Sequence, residues 1–313
     1  MNILKWDGKA ISRPGLYRGV PISVYHSGDL CVGPSISSSG LRTIVRKSEA
    51  HFYDRWPKNK HHDPKALEES DALILGRAVH HLLMGGLSEE HFAKAYVVPP
   101  GKTEDAKGVT QPWSLRFASA REWVEARHAE GKTILSHDGR DRVYGMARAL
   151  SKQPLVIQGA LNGETELTMV WRHGTGIWLL ARPDVIPTAD ADIVDLKTTT
   201  SIVPYDLQRT VFEFGYHMQG AMIAEGYEQI TKNKIASFSL YFIESSRPFC
   251  PFLYRLDDED MKRGRLLNER AITRFFNALE TDVWPGPGGV QHSERVLRLN
   301  DRAREIEGRL LGA

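Results

Sequence analysis

The sequence predicts an α/β fold, a central mixed β-sheet flanked by α-helices. Strand-like segments cluster in the middle of the chain, helical periodicity lies on both sides of them, and the order helix, strands, helix, strand demands parallel as well as antiparallel neighbours. The 313 residues, 41% hydrophobic and 26% charged, suffice for one large domain or two small ones around a substantial core.

Residues 1–33 are rich in Gly and Pro and read as an irregular N-terminal segment, with GLYRGVPISVYHSG its best hairpin candidate. A main domain follows over residues 34–280. It opens with SISSSGLRTIVRKSEAHFYDRW, where serine N-caps precede apolar residues at helical spacing. Two short helices fit, broken near Ser48 and stopped at Pro57. DALILGRAVHHLLM, residues 71–84, is the next helix. Residues 98–117, polar and punctuated by Gly and Pro, read as a long loop. REWVEARHAEGK and a segment from about Asp141 to Lys152 complete the helices before the strands.

In ETELTMVWR, residues 164–172, Leu167, Met169 and Trp171 alternate with Glu166, Thr168 and Val170, a period of two. HGTG is a hairpin turn, IWLLARPDVI the returning strand and ADIVDLKT a third strand. Residues 204–229 predict one long amphipathic helix, SFSLYFIES a further strand and 257–279 another helix. The tail, 281–313, opens with the breaker WPGPGG and ends in a charged, peripheral helix.

Composition excludes several classes. Two distant cysteines, Cys31 and Cys250, cannot build a four-cysteine zinc or iron–sulfur site and suit a reducing cytosol. No apolar run is long enough to span a membrane and the N-terminus has no signal core, so a soluble cytoplasmic protein is expected. With a net charge of +2, any affinity for nucleic acid must come from local patches.

The stretch RPDVIPTADADIVDLKT, residues 182–198, carries Asp184, Asp195 and Lys197 into a mostly apolar region. Buried charges are costly unless paired or bound to a metal. Asp195 and Lys197, two apart on a strand, point to one face, and Val194 and Leu196 to the other. An antiparallel neighbour would bring Asp184 beside Asp195. Two carboxylates supply hard oxygen ligands suited to Mg²⁺ or Mn²⁺, and a lysine beside such an ion can position or deprotonate a water. A purely structural reading also fits: Asp184 closes a turn before Pro187, and Asp195 and Lys197 form an edge-strand ion pair.

PD, ten residues and then DLK resembles the core of the PD-(D/E)xK nucleases, which have a restriction-endonuclease-like fold. Four further segments are similar to the RecE-type exonucleases (exodeoxyribonuclease VIII) and their phage relatives. They are SISSSGLRTIVRKSEAHFYDRW, GRAVHHLL, ETELTMVWRHGTGIWLLARPDVI and GYHMQGAMIAEGY, spanning about residues 34–260. The resemblance implies a metal-dependent exonuclease that degrades double-stranded DNA from its ends, 5′ to 3′. It also implies a single-strand annealing protein as partner, assembly into a ring, and a role in phage recombination.

Residue by residue, it places His80, Asp184, Asp195 and Leu196 at the metal, and Asp184, Asp195, Lys197, Gln219 and Glu166 in catalysis. Gly76, one turn before His80, leaves room beside the imidazole; His81 points away and reads as structural. Gln219 is expected near the lysine or the DNA backbone, Tyr227 is as readily core as functional, and Glu166 is equally a solvated strand residue. Arg42, Arg46, Lys47, Arg55, Lys58, Lys60 and Lys65, with His51 and Tyr53 interleaved, form a basic segment that would track phosphates. Arg42, Arg46, Lys47, Arg55 and Tyr216 are its DNA-binding candidates. An endonuclease or a single-strand-preferring nuclease of the same fold, and a non-catalytic DNA-binding protein on it, are the rival readings.

Overall fold

The computed structural model describes residues 2–63, 70–84, 86–187, 192–289 and 297–311. Its first main sheet contains β1 (Ile3–Lys5), β2 (Gly15–Arg18), β3 (Ser35–Ser37), β4 (Thr168–Arg172) and β5 (Trp178–Ala181), in the order β1-β2-β4-β5-β3. β1 runs parallel to β2 and β5 to β3, while β2/β4 and β4/β5 are antiparallel. The second contains β6 (Asp192–Thr199), β7 (Ser237–Glu244) and β8 (Pro251–Arg255), with β6/β7 parallel and β7/β8 antiparallel. The expected mixed β-structure with flanking helices is present, divided between these two sheets.

Seven helices frame them: α1 (Ser38–Arg46), α2 (Glu49–Arg55), α3 (Asp71–Met84), α4 (His137–Ser151), α5 (Pro204–Phe214), α6 (Tyr216–Thr231) and α7 (Asp258–Thr281). Serine hydroxyls cap three of them as the sequence suggests: Ser37 accepts from Gly40 N, Ser48 from His51 N and Ser136 from Gly139 N. The Ser136 cap starts α4 four residues before the expected Asp141.

Three other expectations change. GLYRGVPISVYHSG is not a hairpin, because Pro21 lacks the N–H that a returning strand would donate. It instead precedes a helical turn, Ile22–His26, while β2 takes β1 and β4 as partners. Residues 98–117 contain a small hairpin, Lys102–Glu104 with Thr110–Pro112, whose turn is closed by Asp105 accepting from Lys107 N and Val109 N. The single helix expected over 204–229 is two helices, broken at Gly215. Gly215 has φ +64°, a left-handed conformation that side chains resist, so α6 begins afresh at Tyr216.

β6 lies between two apolar cores. Ile193 joins one with Met169, Trp171, Met218, Phe242 and Phe275. Val194 and Leu196 join the other, formed with Val79 and Leu82 of α3 and Val143 and Met146 of α4. The period of two in ETELTMVWR holds, since Leu167, Met169 and Trp171 enter the first core; yet Val170 is buried too, against Tyr17 and Trp178. Tyr227 belongs to the first core. In the tail, Trp284 stacks on Tyr53 at 4.4 Å, so the breaker is anchored, and the helix Asp301–Leu311 buries no residue.

One ion pair ties the N-terminal helices to α7. Arg274 Nε and a terminal guanidinium nitrogen each lie 2.6 Å from a Glu49 carboxylate oxygen, and Glu49 is buried. Burial alone would raise this carboxyl, but Arg274 outweighs it and holds the pKa below the ordinary carboxylate value. The stabilisation is therefore complete above the unfolded pKa of about 4.3 and is lost as pH falls through the lower folded value. Glu49→Gln should cost about 1–3 kcal/mol at pH 7 in urea unfolding, with its gap from wild type narrowing below about pH 4. A gap independent of pH would refute that role for the pair.

Candidate active site

The site is built on an unpaired strand edge. β6 is the outer strand of its sheet, with β7 on one side only. Exposed strand edges carry backbone donors and acceptors that must find other partners. At Leu196 both are supplied by side chains. Leu196 N donates to Asp184 Oδ2 at 2.7 Å, and its carbonyl accepts from His80 Nε2 at 3.0 Å. His80 Nδ1 lies 3.2 Å from Asp184 Oδ1, closing the loop.

This corrects how Asp184 reaches the site. It is not on a strand antiparallel to β6: Val185–Ile186, just after it, pair with Glu164–Thr165. Nor does it merely close a turn, since its carboxylate grips the β6 backbone. Gly76 acts differently from expectation as well. A Cβ there would sit 3.2 Å from Thr198 Oγ1, so the glycine lets α3 lie close against β6 and delivers His80, one turn later, to Leu196.

Asp195 and Lys197 project together from the face of β6 that α6 covers. Asp195 is 1% exposed, forms an ion pair with Lys197 Nζ, and accepts from Gln219 Nε2 at 3.2 and 3.3 Å. The ion pair of the structural reading is thus present, inside a larger constellation. Gln219 can reach Asp195 because Gly215 restarts the helix four residues earlier. Tyr216, the first residue of α6, lies beside Lys197, whose Nζ is 5.0 Å from the ring centroid.

The electrostatics follow from burial and proximity. Burial alone would raise Asp184, but the His80 charge and hydrogen bond, with Lys197 and the Leu196 N–H, pull it below the ordinary value. Asp195 is raised by burial and by the negative charge of Asp184, against the pull of Lys197. Burial disfavours charge on Lys197, yet Asp195 and Asp184 more than compensate and keep it an ammonium. His80 likewise is raised, because Asp184 overcomes the burial that lowers it. With an acceptor at each ring nitrogen, only the doubly protonated imidazole satisfies both contacts.

Among the described residues, no three His, Cys, Asp or Glu side chains form a metal-holding group. The oxygen donors nevertheless suit a hard divalent ion. Asp184, Asp195 and the Leu196 carbonyl, the only donor leucine can offer, are oxygen donors carried by β6 or held against it. The buried Gln219 Oε1 has no hydrogen-bond partner, and a cation between Asp184 and Asp195 would relieve the repulsion that, with burial, raises Asp195. Both ring nitrogens of His80 are engaged, one by Asp184 and the other by the Leu196 carbonyl.

Asp184, Leu196, Lys197, His80, Gln219 and Tyr216 line a cleft of about 640 Å³, and Glu166 and Arg42 line it too. Glu166 is not a strand residue but a left-handed link at φ +55° between Glu164–Thr165 and β4. His81 stacks on His91 at 4.3 Å and hydrogen-bonds its carbonyl, in keeping with a structural part.

The basic segment does not form one patch. Arg42 donates to the Phe214 and Ser38 carbonyls at the cleft. Arg46 instead lies 4.1 Å over the Phe212 ring, in a separate apolar groove. Arg55 lines a third hollow, Lys47 and Lys60 are exposed, and Lys58 pairs with Asp29. His51 bonds the Ser48 hydroxyl, Tyr53 stacks on Trp284, and Lys65 lies outside the described residues. Of the basic candidates among the described residues, Arg42 alone lines the cleft.

Arg182 and Phe214 are among the cleft residues that escape sequence reasoning. Arg182 donates to Thr168 Oγ1 at 2.7 Å and to the Val20 carbonyl at 2.8 Å, over the Tyr25 ring. Its only sequence signal is its place immediately before the PD pair. Phe214, at the cleft mouth, could have been found only by recognising Gly215 as a helix break.

The comparisons place this geometry among known folds. A candidate exonuclease from Eubacterium rectale, in its crystal structure, superposes with a TM-score of 0.56 at 16% identity, over 87% of this chain and 92% of that one. A phage-related exonuclease from Haemophilus somnus gives a TM-score of 0.30 at 14% identity, over 55% of this chain and 91% of that one. No curated protein matches the chain. The model of the PDDEXK-like domain of unknown function (DUF3799) matches residues 37–295, which include Asp184, Asp195 and Lys197, and the chain belongs to that family, a branch of the PD-(D/E)xK fold.

Proposed function

We propose that this protein is a divalent-metal-dependent exodeoxyribonuclease that hydrolyses phosphodiester bonds from the ends of linear double-stranded DNA, 5′ to 3′. The observation that carries the reading is that Asp184, Lys197 and Gln219 line one cleft around Leu196, with Asp195 buried beside them and held by Lys197 and Gln219. The resemblance to RecE-type enzymes supplies the end preference and polarity. It also supports a cytoplasmic role in phage recombination with a single-strand annealing protein, on a ring-shaped homo-oligomer. Among the described residues no helix is long and apolar enough to cross a membrane.

In this reading Asp184, Asp195 and the Leu196 carbonyl hold Mg²⁺ or Mn²⁺. The ion supplies positive charge that polarises the phosphate and acidifies water. His80 holds Asp184 and the Leu196 carbonyl in place. Lys197, kept as an ammonium, orients the attacking water and offsets charge developing on the phosphate oxygens. Gln219 and Lys197 together fix the Asp195 carboxylate. Glu166 and Arg42 face the same cleft and act on the substrate rather than on the donor set.

Digestion of end-labelled linear duplex beside a closed circle, in Mg²⁺, Mn²⁺, Ca²⁺ or EDTA, tests the whole reading. The linear substrate should shorten from its 5′ ends and the circle survive; cleavage of the circle would favour the endonuclease reading. Lys197→Ala should lower the cleavage rate by about 10²–10³-fold while DNA binding holds. Residual activity within about tenfold of wild type would remove Lys197 from the reaction.

Metal binding should raise the melting temperature, by mass action worth about 2.7 kcal/mol when the ion is at a hundred times its Kd. Asp195→Asn keeps the shape and the Gln219 neighbour but should abolish that rise along with cleavage. Equal Mn²⁺ affinity in both proteins by calorimetry would eliminate the proposed metal site.

A further inference from the structure

Phe214 is a large apolar side chain left in water where folding alone gives no reason for it. It ends α5, immediately before the left-handed Gly215, and is 57% exposed at the mouth of the cleft. Its ring is stacked on Tyr216, with centroids 5.7 Å apart and planes inclined by 16°. Tyr216 in turn lies under the Lys197 ammonium at 5.0 Å, and Lys197 is paired with Asp195. The backbone here is held as well, because the Phe214 carbonyl accepts from Arg42 at 2.9 Å. Phe214 is therefore stacked on Tyr216 while more than half exposed in the lining of the cleft, and the whole stack ends on the group assigned to the attacking water.

We propose that Phe214 is a positioning residue: the platform on which the nucleobase next to the scissile phosphate stacks. The inference rests on the nuclease reading above and specifies how that site holds its substrate. Every base has a π-face, so such a platform is indifferent to sequence, and a base–aromatic stack is worth about 1–3 kcal/mol. The Phe214–Tyr216–Lys197 line adds a consequence. Seating a base on Phe214 sets the register of its phosphate relative to Lys197, because the rings between them are already in contact. The platform therefore acts on the placement of the phosphate as well as on affinity. Arg42 contributes by fixing the main chain at Phe214.

The test combines protein and substrate changes on the full chain. Wild type, Phe214→Ala, Phe214→Leu and Phe214→Trp are assayed on duplexes whose terminal nucleotides carry bases, or are abasic at the position flanking the cleaved bond. Phe214→Ala should lower kcat/KM by about ten- to a hundredfold on the normal substrate, and the abasic site should cost wild type a similar factor. Combining the two should cost no more than either, since both remove one interaction. Phe214→Trp should restore activity and Phe214→Leu, apolar but without a π-face, should not.

A second readout does not need turnover. With 2-aminopurine at the flanking position and Ca²⁺ as the ion, binding should quench its fluorescence in wild type and Phe214→Trp but not in Phe214→Ala. Full activity in Phe214→Leu, or losses that multiply when variant and abasic substrate are combined, would overturn the platform while leaving the nuclease reading standing. Failure of wild type to bind and cut DNA with any divalent ion would overturn both.

Discussion

The site depends on the backbone of a single residue at a sheet edge. Leu196 has its side chain in the core, so β6 cannot shift without exposing it, yet its N–H and C=O have no neighbouring strand. Leaving two such groups buried and unpaired costs a few kcal/mol, comparable with a large share of a domain's net stability. Asp184 and His80 satisfy them and, in doing so, become fixed relative to β6. The polar demand of the fold and the placement of candidate catalytic groups are met by the same contacts. Because side chains alternate on a strand, anchoring Leu196 also sets the direction of Asp195 and Lys197 on either side of it.

Rigidity then comes from packing on both faces. Val194 and Leu196 enter the core under α3 and α4, and Ile193 enters the core under α6 and α7. A one-residue slip would exchange the two sets and drive Asp195 and Lys197 into apolar surroundings, so the register of β6 is strongly specified. α3 brings His80 through the close contact at Gly76, and α6 brings Gln219 and Tyr216 through the restart at Gly215. Two glycines, acting through opposite properties, thus set the distances of the constellation: one through lack of bulk, the other through a left-handed backbone.

What was legible in the sequence was whatever had a short-range cause. Serine caps, the alternation around Trp171, the D-x-K triplet and the order of helices and strands are local, and the elements form accordingly. The constellation itself was legible through its motifs, because side chains two apart on a strand share a face whatever surrounds them. Long-range pairing was not legible. No local pattern says that β6 is an edge strand, and so the assumption that Asp184 arrives on an antiparallel neighbour had no check. Gly215 was hidden because α5 and α6 continue one amphipathic pattern across it. The basic segment failed for the same reason as any charge run. Residues adjacent in sequence on two short helices point in several directions, and Arg42 and Arg46 end up in different hollows.

Two of the arginines that line the cleft are held in an unusual way. Arg42 donates to two backbone carbonyls, and Arg182 to a hydroxyl and a backbone carbonyl. These acceptors are neutral, so each guanidinium is oriented by dipoles, with Asp195 near Arg42 and Glu166 near Arg182 rather than in a direct ion pair. Lys58, by contrast, has its charge answered by Asp29 out on the surface. An arginine fixed by dipoles keeps its full positive field and loses little conformational freedom when an anion arrives. Two such groups in a cleft that also holds the Lys197 ammonium stand against the Asp184 and Glu166 carboxylates that line it and the buried Asp195 beside it, whose own field would repel a phosphate chain. In the proposed nuclease reading, carboxylates stand where a polyanion would enter, and the oriented arginines beside them would favour that entry.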